Sequence, residues 1–515
     1  MRLLSVLPPS PSFSQLRGAA ANPFVQLSFC LALGMILSVI LGTDANFDLQ
    51  NYHLYDPWAL FHARLGADYY PANKQSYFDP LADIPYYLLT FVLLPNAPRL
   101  VAALAGLPYG LLVFLVFKLS SRFVADRPSA SLAALIGLTG ATTISEIGTT
   151  FNDILATDIL LISVWLLCRN GLGVALLAGF LCGFGVGLKL TLGVFAPSLA
   201  LFLLLSPGGQ RRGRLVLLGL GIALGFALAY GWWGLVLWHS FGNPLYPMFN
   251  SLFPSQWAAP VHTIDPRFFP KTALQWLAYP FFWVQGNPYV VSEFKLRDPR
   301  FALAYTALAL ALGGVFCKAR PSRQTIALWL FFATAYVVWL LTFSILRYAL
   351  PLEVLSGIIV ATVLEGLLPR PRLRWTVAVL AVFCLAFTRP ISWGRIGYGE
   401  SLISAPLPVL PAHTVLLMQG VPLGYVVPFF TPPPAHAIRL EELDARSPEW
   451  PRVQALLNQH PPVWLLTNMP GVQDGALPVL NQLNLRFVEG GKRCVHVATS
   501  VQETIELCPL APVSP

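Results

Sequence analysis

The sequence predicts a polytopic α-helical membrane protein of about eleven spans with a small C-terminal α/β domain outside the membrane. Three observations predict it. Apolar runs of about 20 residues, the length that crosses a hydrocarbon core, recur as far as residue 391. The chain is 56% hydrophobic and only 11% charged, with mean hydropathy +0.63, where soluble proteins carry about 25% charged residues. The runs are rich in Leu, Ala and Gly and do not alternate with period two, which indicates helices and not a barrel. The net charge of +9 sits in short clusters between the runs, as orientation rules require, and does not suggest nucleic-acid binding.

In chain order, residues 24–41 form the first span. The apolar run is too long for a signal-peptide core and no A-x-A-like cleavage site stands out, so it is read as a retained helix. Residues 43–85 form an acid-rich loop with interleaved aromatics, carrying Asp44, Asp48, Asp56, Asp68, Asp79 and Asp83 against Arg64 and Lys74. Residues 81–94 are apolar but short, broken by Pro85 and ended by Pro95, which suits a helix on or dipping into the membrane. Further spans follow at 99–117, 129–145, 154–168, 171–188, 190–205 and 215–239. A polar and aromatic loop, 241–300, contains an amphipathic stretch at 274–284. The last four spans fall at 301–316, 325–345, 348–368 and 375–387.

Orientation follows from the basic residues. The connections after spans two, six, eight and ten each hold three Lys or Arg, the third of them Lys318, Arg320 and Arg323. The positive-inside rule makes these cytoplasmic. The N-terminus is then cytoplasmic, and the 43–85 loop, the 241–300 loop and the C-terminal region lie outside. The expected division is a membrane domain, 1–391, and an extracytoplasmic domain, 392–515. In the latter, strand-like runs (414–418, 463–467, 494–498, 504–507) alternate with helix-like ones (452–459, 476–483), and 431–434 is a Pro-rich turn or linker. Cys494 and Cys508 are able to pair if the region faces an oxidising compartment. Cys30, Cys168, Cys182, Cys317 and Cys384 fall in or beside apolar runs, where small unpaired cysteines are usual.

Several charged residues oppose the apolar pattern. Asp44 and Asp48 stand just past the first span, four apart, at a spacing that shares one helical face. A carboxylate at a partly desolvated surface beside another acid is suited to general-base work, and Tyr52 and His53 beside it are side chains that line sugar sites. The plain alternative is a solvated loop. Asp153 and Asp158 open the fourth span, and an ionisable group inside a span is costly enough to suggest function; for Asp153 the alternative is helix-dipole stabilisation. Lys189 and Arg347 lie at outer helix ends, against the positive-inside tendency. Arg there suits bidentate phosphate binding and Lys suits it as a point charge; the alternative is snorkelling to headgroups. His53 and His62 lack a metal-ligand spacing, so no metal and no other cofactor is expected.

Taken together, these features resemble the GT-C superfamily of membrane glycosyltransferases, nearest to bacterial members related to protein mannosyltransferases and aminoarabinose transferases (glycosyltransferase family 39-like). The resemblance covers about 24–387. It rests on Asp44-Ala-Asn-Phe-Asp48 after the first span, an aromatic amphipathic helix at 52–65, and Asp79-Pro80-Leu81 introducing a juxtamembrane helix. It rests further on Gly187-Leu188-Lys189 and on Arg347-Tyr348 followed by Pro351. Leu49 follows Asp48 where that group commonly carries Asp-Glu. The resemblance implies a GT-C-like fold in a bacterial inner membrane and an inverting transfer of sugar from a polyprenyl-phosphate donor to an envelope acceptor. By position it implies Asp48 as base with Asp44 as second choice or partner. Arg347 and Lys189 would hold the donor phosphate. Asp153, Asp158, His53 and Tyr52 are the candidates for contact with substrate. The competing expectations are a polyprenyl-linked glycan polymerase or ligase, a lipid-linked sugar transporter, and a scaffold presenting the tail.

Overall fold

Apolar runs become helices where proline, glycine and capping side chains allow. The computed structural model describes residues 22–258, 265–284, 290–314, 320–445, 447–468, 473–501 and 504–513. The N-terminal segment 1–21, Cys317, Lys318 and parts of the 241–300 loop lie outside the described residues. The first helix starts where the Asn22 side chain accepts from the Phe24 N–H at 2.9 Å with Pro23 at its first position, and stops at Gly42 with φ 89°.

The helices are α1 (Pro23–Leu41), α2 (Tyr55–Phe61), α3 (Ile84–Leu88), α4 (Pro98–Ala105), α5 (Leu107–Phe123), α6 (Arg127–Leu138), α7 (Ala141–Ser145) and α8 (Asp153–Leu167). They continue as α9 (Leu172–Leu188), α10 (Ala196–Leu205), α11 (Arg211–Phe241), α12 (Ala273–Trp283), α13 (Arg300–Leu312), α14 (Arg323–Thr342), α15 (Leu350–Leu367) and α16 (Arg370–Phe387). Five helical stretches are long and apolar enough to cross a membrane: Pro23–Leu41, Pro98–Phe123, Arg211–Phe241, Arg323–Thr342 and Leu346–Leu367. Other runs expected to span are shorter as helices, among them Leu172–Leu188, Leu190–Leu205 and Arg300–Leu312. The run expected at 129–145 divides at Thr139-Gly140 into α6 and α7, where the Glu353 carboxylate accepts from the Thr142 and Thr143 N–H groups at 3.1 and 2.8 Å and so satisfies the start of α7.

Leu346–Leu367 is the centre of the bundle, 83% buried, whereas α1 is 11% buried and lies at its edge. The outward faces remain apolar: Phe29 and Ile40 on α1, Leu224, Leu228 and Leu235 on α11, and Val379 and Val382 on α16 are exposed. Apolar faces of that extent are suited to lipid. Helices α9 and α11 pack backbone to backbone through small residues. A Cβ on Gly183 would lie 2.0 Å from the Ile222 carbonyl, and one on Gly225 2.0 Å from that of Phe180.

The tail forms a mixed sheet of β3 (Val415–Gln419), β4 (His436–Arg439), β5 (Val463–Thr467), β6 (Leu485–Phe487), β7 (Val495–Val497) and β8 (Ile505–Pro512). The order is β4-β3-β5-β8-β6, with β7 also on β8; β4, β3 and β5 are parallel and the other pairs antiparallel. Helices α17 (Trp450–Leu457) and α18 (Gln473–Gln482) accompany it. Cys494 and Cys508 form a disulfide.

This sheet is joined to the acid-rich loop. Strand β1 (Thr43–Asp44) pairs with β2 (Arg395–Ile396). At the β4 edge, the Tyr69 N–H donates to the Ala437 carbonyl at 2.9 Å and the Arg439 N–H to the Tyr69 carbonyl at 3.0 Å. The Arg439 side chain is buried and donates to the carbonyls of Tyr70, Pro71 and Gly420. Leu49, Tyr55 and Trp58 share a core with Leu416, Met418 and Tyr425. The loop is thus held between the bundle and the sheet.

Candidate active site

Four elements far apart in sequence each bring one charged side chain to the same place. Asp48 begins the wide helical turn Leu49–His53 just after β1. Arg347 sits in the short turn Leu346–Ala349 that feeds α15, entered through Ser344 at φ 54°. Lys189 caps α9 in extended conformation, and Asp153 opens α8 behind Asn152, whose left-handed φ of 63° turns the chain sharply into the helix.

Arg347 Nη1 donates to Asp48 Oδ2 at 2.6 Å, and Lys189 Nζ lies 2.7 Å from Asp153 Oδ1. The two pairs are bound into one cluster by aromatic rings. The Arg347 guanidinium lies 4.8 Å from the Phe151 ring centroid and 5.1 Å from that of Tyr348, and Lys189 Nζ is 5.8 Å from the Tyr348 ring. Lys189 also donates to the Phe151 carbonyl, and the Tyr52 hydroxyl reaches Asp48 Oδ2 at 3.4 Å. Burial pushes the Asp48 carboxyl up, but Arg347, His53 and Lys189 outweigh burial and hold it below its usual range. Asp48 is therefore ionised at neutral pH, flanked by two cations each already matched by an acid.

Beside the cluster, His53 Nδ1 is 2.7 Å from Asp83 Oδ1, and Asn152 Nδ2 donates to the same oxygen at 2.8 Å. The Tyr52 and His53 rings lie 4.1 Å apart. Strain at Asn152 thus serves two ends, starting α8 and fixing Asp83. Of the residues expected from sequence, Asp48, Arg347, Lys189, Asp153, Tyr52 and His53 come together here.

Asp44 and Asp158 do not join the two ion pairs. Asp44 accepts from the Asn46 side chain and from the backbone N–H and hydroxyl of Thr150, both at 2.9 Å. Burial outweighs nearby Arg395 and these hydrogen bonds, leaving its carboxyl raised. Its role is to tie β1 to the 146–152 connection. Asp158 is buried one turn deeper in α8, with neither carboxyl oxygen hydrogen-bonded within the described residues.

Sequence reasoning missed Asp83, Phe151 and Glu146. Glu146 is buried with both carboxyl oxygens unpartnered in the described structure, and electrostatically it feels Asp153, Lys189 and Arg347. Its signal was available: it is the one acid between the apolar runs 129–145 and 154–168 besides Asp153. A cavity of about 150 Å³ lies under α2, lined by Tyr55, Asp56, Arg64, Ser76, Phe78 and Trp233. Among the described residues no group of three or more His, Cys, Asp or Glu side chains is placed to hold a metal ion.

The arrangement offers a buried carboxylate as proton acceptor and two cations able to exchange an acid for a phosphate, on an aromatic floor. No protein-family model, characterised protein or solved structure matches this chain.

Proposed function

We propose that this protein is an inverting membrane glycosyltransferase that moves a sugar from a polyprenyl-phosphate donor to a cell-envelope acceptor on the outer face of a bacterial inner membrane. The observation that carries the proposal is the convergence of Asp48–Arg347 and Lys189–Asp153 in one cluster, drawn from the first loop and from three helix ends. Counting α6, α8, α9, α10, α13 and α16 as crossings beside the five long apolar stretches gives eleven, and in that topology all these ends fall on one side. The Cys494–Cys508 disulfide supports an oxidising, outer location for the tail.

In this reading the donor's lipid tail stays in the bilayer and its phosphate meets Arg347 and Lys189. Asp48 takes the proton of the acceptor hydroxyl as that oxygen attacks the anomeric carbon. The carbon–phosphate oxygen bond breaks, and the cations stabilise the departing polyprenyl phosphate. Tyr52, Phe151 and Tyr348 offer faces for the sugar. The mechanism needs no nucleotide.

The test is release of polyprenyl phosphate from lipid-linked sugars by purified protein in proteoliposomes, with an envelope extract as acceptor. Wild type should turn over and Asp48→Asn should lose at least about 10²-fold in kcat. Arg347→Lys, which keeps charge but loses the fork, should raise the donor KM. Full activity in Asp48→Asn would remove the assignment of the base. Turnover of pyrophosphate-linked lipids alone would move the protein to the polymerase or ligase class.

A further inference from the structure

The cavity under α2 has no part in the transfer chemistry. It lies between α2, the 63–78 stretch of the acid-rich loop and α11, which contributes Trp233 and Val236. Its volume of about 150 Å³ is room for a molecule of about six non-hydrogen atoms. Asp56 lines it. That residue is 4% exposed, and neither of its carboxyl oxygens has a hydrogen-bond partner among the described residues. Two buried acceptors left unmatched are costly.

Other polar side chains on these walls are engaged with the protein. Arg64 Nε and Nη2 donate to the two oxygens of Asp68 at 2.9 and 2.5 Å, and the Tyr55 hydroxyl donates to Asp68 at 2.7 Å. Ser76 Oγ donates to the Asn73 carbonyl and accepts from the Ala72 N–H, both at 2.8 Å. The Trp233 ring N–H donates to the Tyr77 carbonyl at 3.0 Å. One carboxyl therefore stands open in a wall that is otherwise largely apolar and aromatic, with Ala59, Leu60 and Phe78 in it. Phe78 also meets the Tyr52 ring edge-on at 5.6 Å, so the cavity adjoins the Asp48 cluster without sharing its charged residues.

We propose that this cavity binds a primary ammonium group on a short apolar stem, with Asp56 as its counter-ion. The proposal stands apart from the transferase reading. An anion would face an acid here. A sugar ring would bury several hydroxyls against a single open partner and lose the rest of its hydrogen bonds. An ammonium brings three donors and a positive charge to the two open oxygens. Aromatic side chains favour the cation, and the stem suits the apolar wall. Burial, with Asp83 adding to it, raises the Asp56 carboxyl well above its usual range, so the empty cavity holds the neutral acid and a cation entering beside it releases that proton to solvent. Two sources carry such a group: a free small amine, and the ethanolamine headgroup of a phospholipid lying along the exposed apolar face of α11 at Leu235.

The experiment is saturation-transfer NMR on delipidated full-length protein in phosphatidylcholine nanodiscs, with empty nanodiscs as the blank. The probe is n-propylammonium, and n-propanol, of the same shape without the charge, is the control. Wild type should bind propylammonium at least about tenfold more tightly than propanol. Asp56→Asn, which keeps the shape and removes the charge, should weaken propylammonium by at least about tenfold. Ala59→Leu, which fills the space and leaves Asp56 in place, should abolish its signal. Adding phosphatidylethanolamine to the nanodiscs separates the two sources. Loss of the propylammonium signal assigns the cavity to the lipid headgroup, and an undiminished signal assigns it to a free amine. Absence of transfer to propylammonium in phosphatidylcholine nanodiscs, or propanol bound as tightly, overturns the proposal with wild type alone. So does a folded Asp56→Asn protein that binds propylammonium as wild type does.

Discussion

At the scale of single residues, the Asp48–Arg347 pair is the informative contact. Both side chains are largely buried, and desolvating two charges offsets much of what their attraction contributes. Stability alone is a poor reason to retain such a pair. Arg347→Ala leaves a buried carboxylate uncompensated and should lower stability by about 3–5 kcal/mol. Adding Asp48→Asn should restore most of that stability and none of the proposed transfer. Denaturation in detergent, run beside the transfer assay, checks both halves; a double variant as unstable as the single one would contradict the account.

Asp79 supplies a pH-dependent prediction. Burial raises its carboxyl from 3.8 to about 7, against the Leu81 N–H it accepts, with Asp83 adding to the rise. The folded state then holds more protons than the unfolded state between those values. Stability should fall as pH rises through that window, by at most about 1.4 kcal/mol per pH unit, and Asp79→Asn should flatten the slope. Melting temperatures across pH 4 to 7 for both proteins decide it.

Much of the site was legible at this scale. Asp48, Lys189, Arg347 and Asp153 each place a charge against an apolar background. Asp44 carries the same signal but stands apart from the two ion pairs, with Thr150 and Asn46 closing around it, an arrangement that only the fold reveals. Asp83 was hidden for the converse reason. It is an ordinary-looking acid at the start of a helix, and its importance lies in His53 and Asn152, 30 and 69 residues away.

At the scale of elements, the α9–α11 pair shows what small residues accomplish. Gly179, Gly183, Gly221 and Gly225 let the backbones touch, and no side chain fits between. Gly183→Val should force the helices apart and cost roughly 1–3 kcal/mol, with disturbance of Lys189 at the end of α9. Gly173→Ala, at a position with open space, is the matched control. Thermal unfolding of the two variants should separate them clearly.

Helix positions followed from apolar runs and punctuation, and β5 matches its strand-like run residue for residue. Lengths did not follow where tertiary contacts intervene, as where the Glu353 carboxylate accepts the first N–H groups of α7. Strand β4 was not legible. His-Ala-Ile-Arg is a run of only four residues that follows a Pro-rich turn, and it becomes a strand through β3 on one side and Tyr69 on the other.

At the scale of the whole molecule, the tail is a clamp on the loop that bears Asp48. Arg439 joins the two through buried hydrogen bonds, and Gly424 lies so close that a Cβ would be 2.0 Å from the Asn51 carbonyl. Arg439→Ala strands the carbonyls of Tyr70, Pro71 and Gly420 and should cost about 1–3 kcal/mol. It should also lower kcat and speed proteolysis near 431–434. Unchanged kcat with faster cleavage would show that the clamp does not reach the site. The sequence marked the tail as a separate material, but its docking depends on a main-chain edge that composition does not reveal.

The central claim is that Arg347 and Lys189 hold a lipid-linked sugar phosphate beside Asp48. Native mass spectrometry of detergent-purified protein, wild type beside Arg347→Ala, tests it most directly. The account predicts a co-purifying polyprenyl lipid whose mass reports one phosphate and one sugar, present in wild type and lost from the variant. A lipid of that class bound equally by both proteins would contradict it.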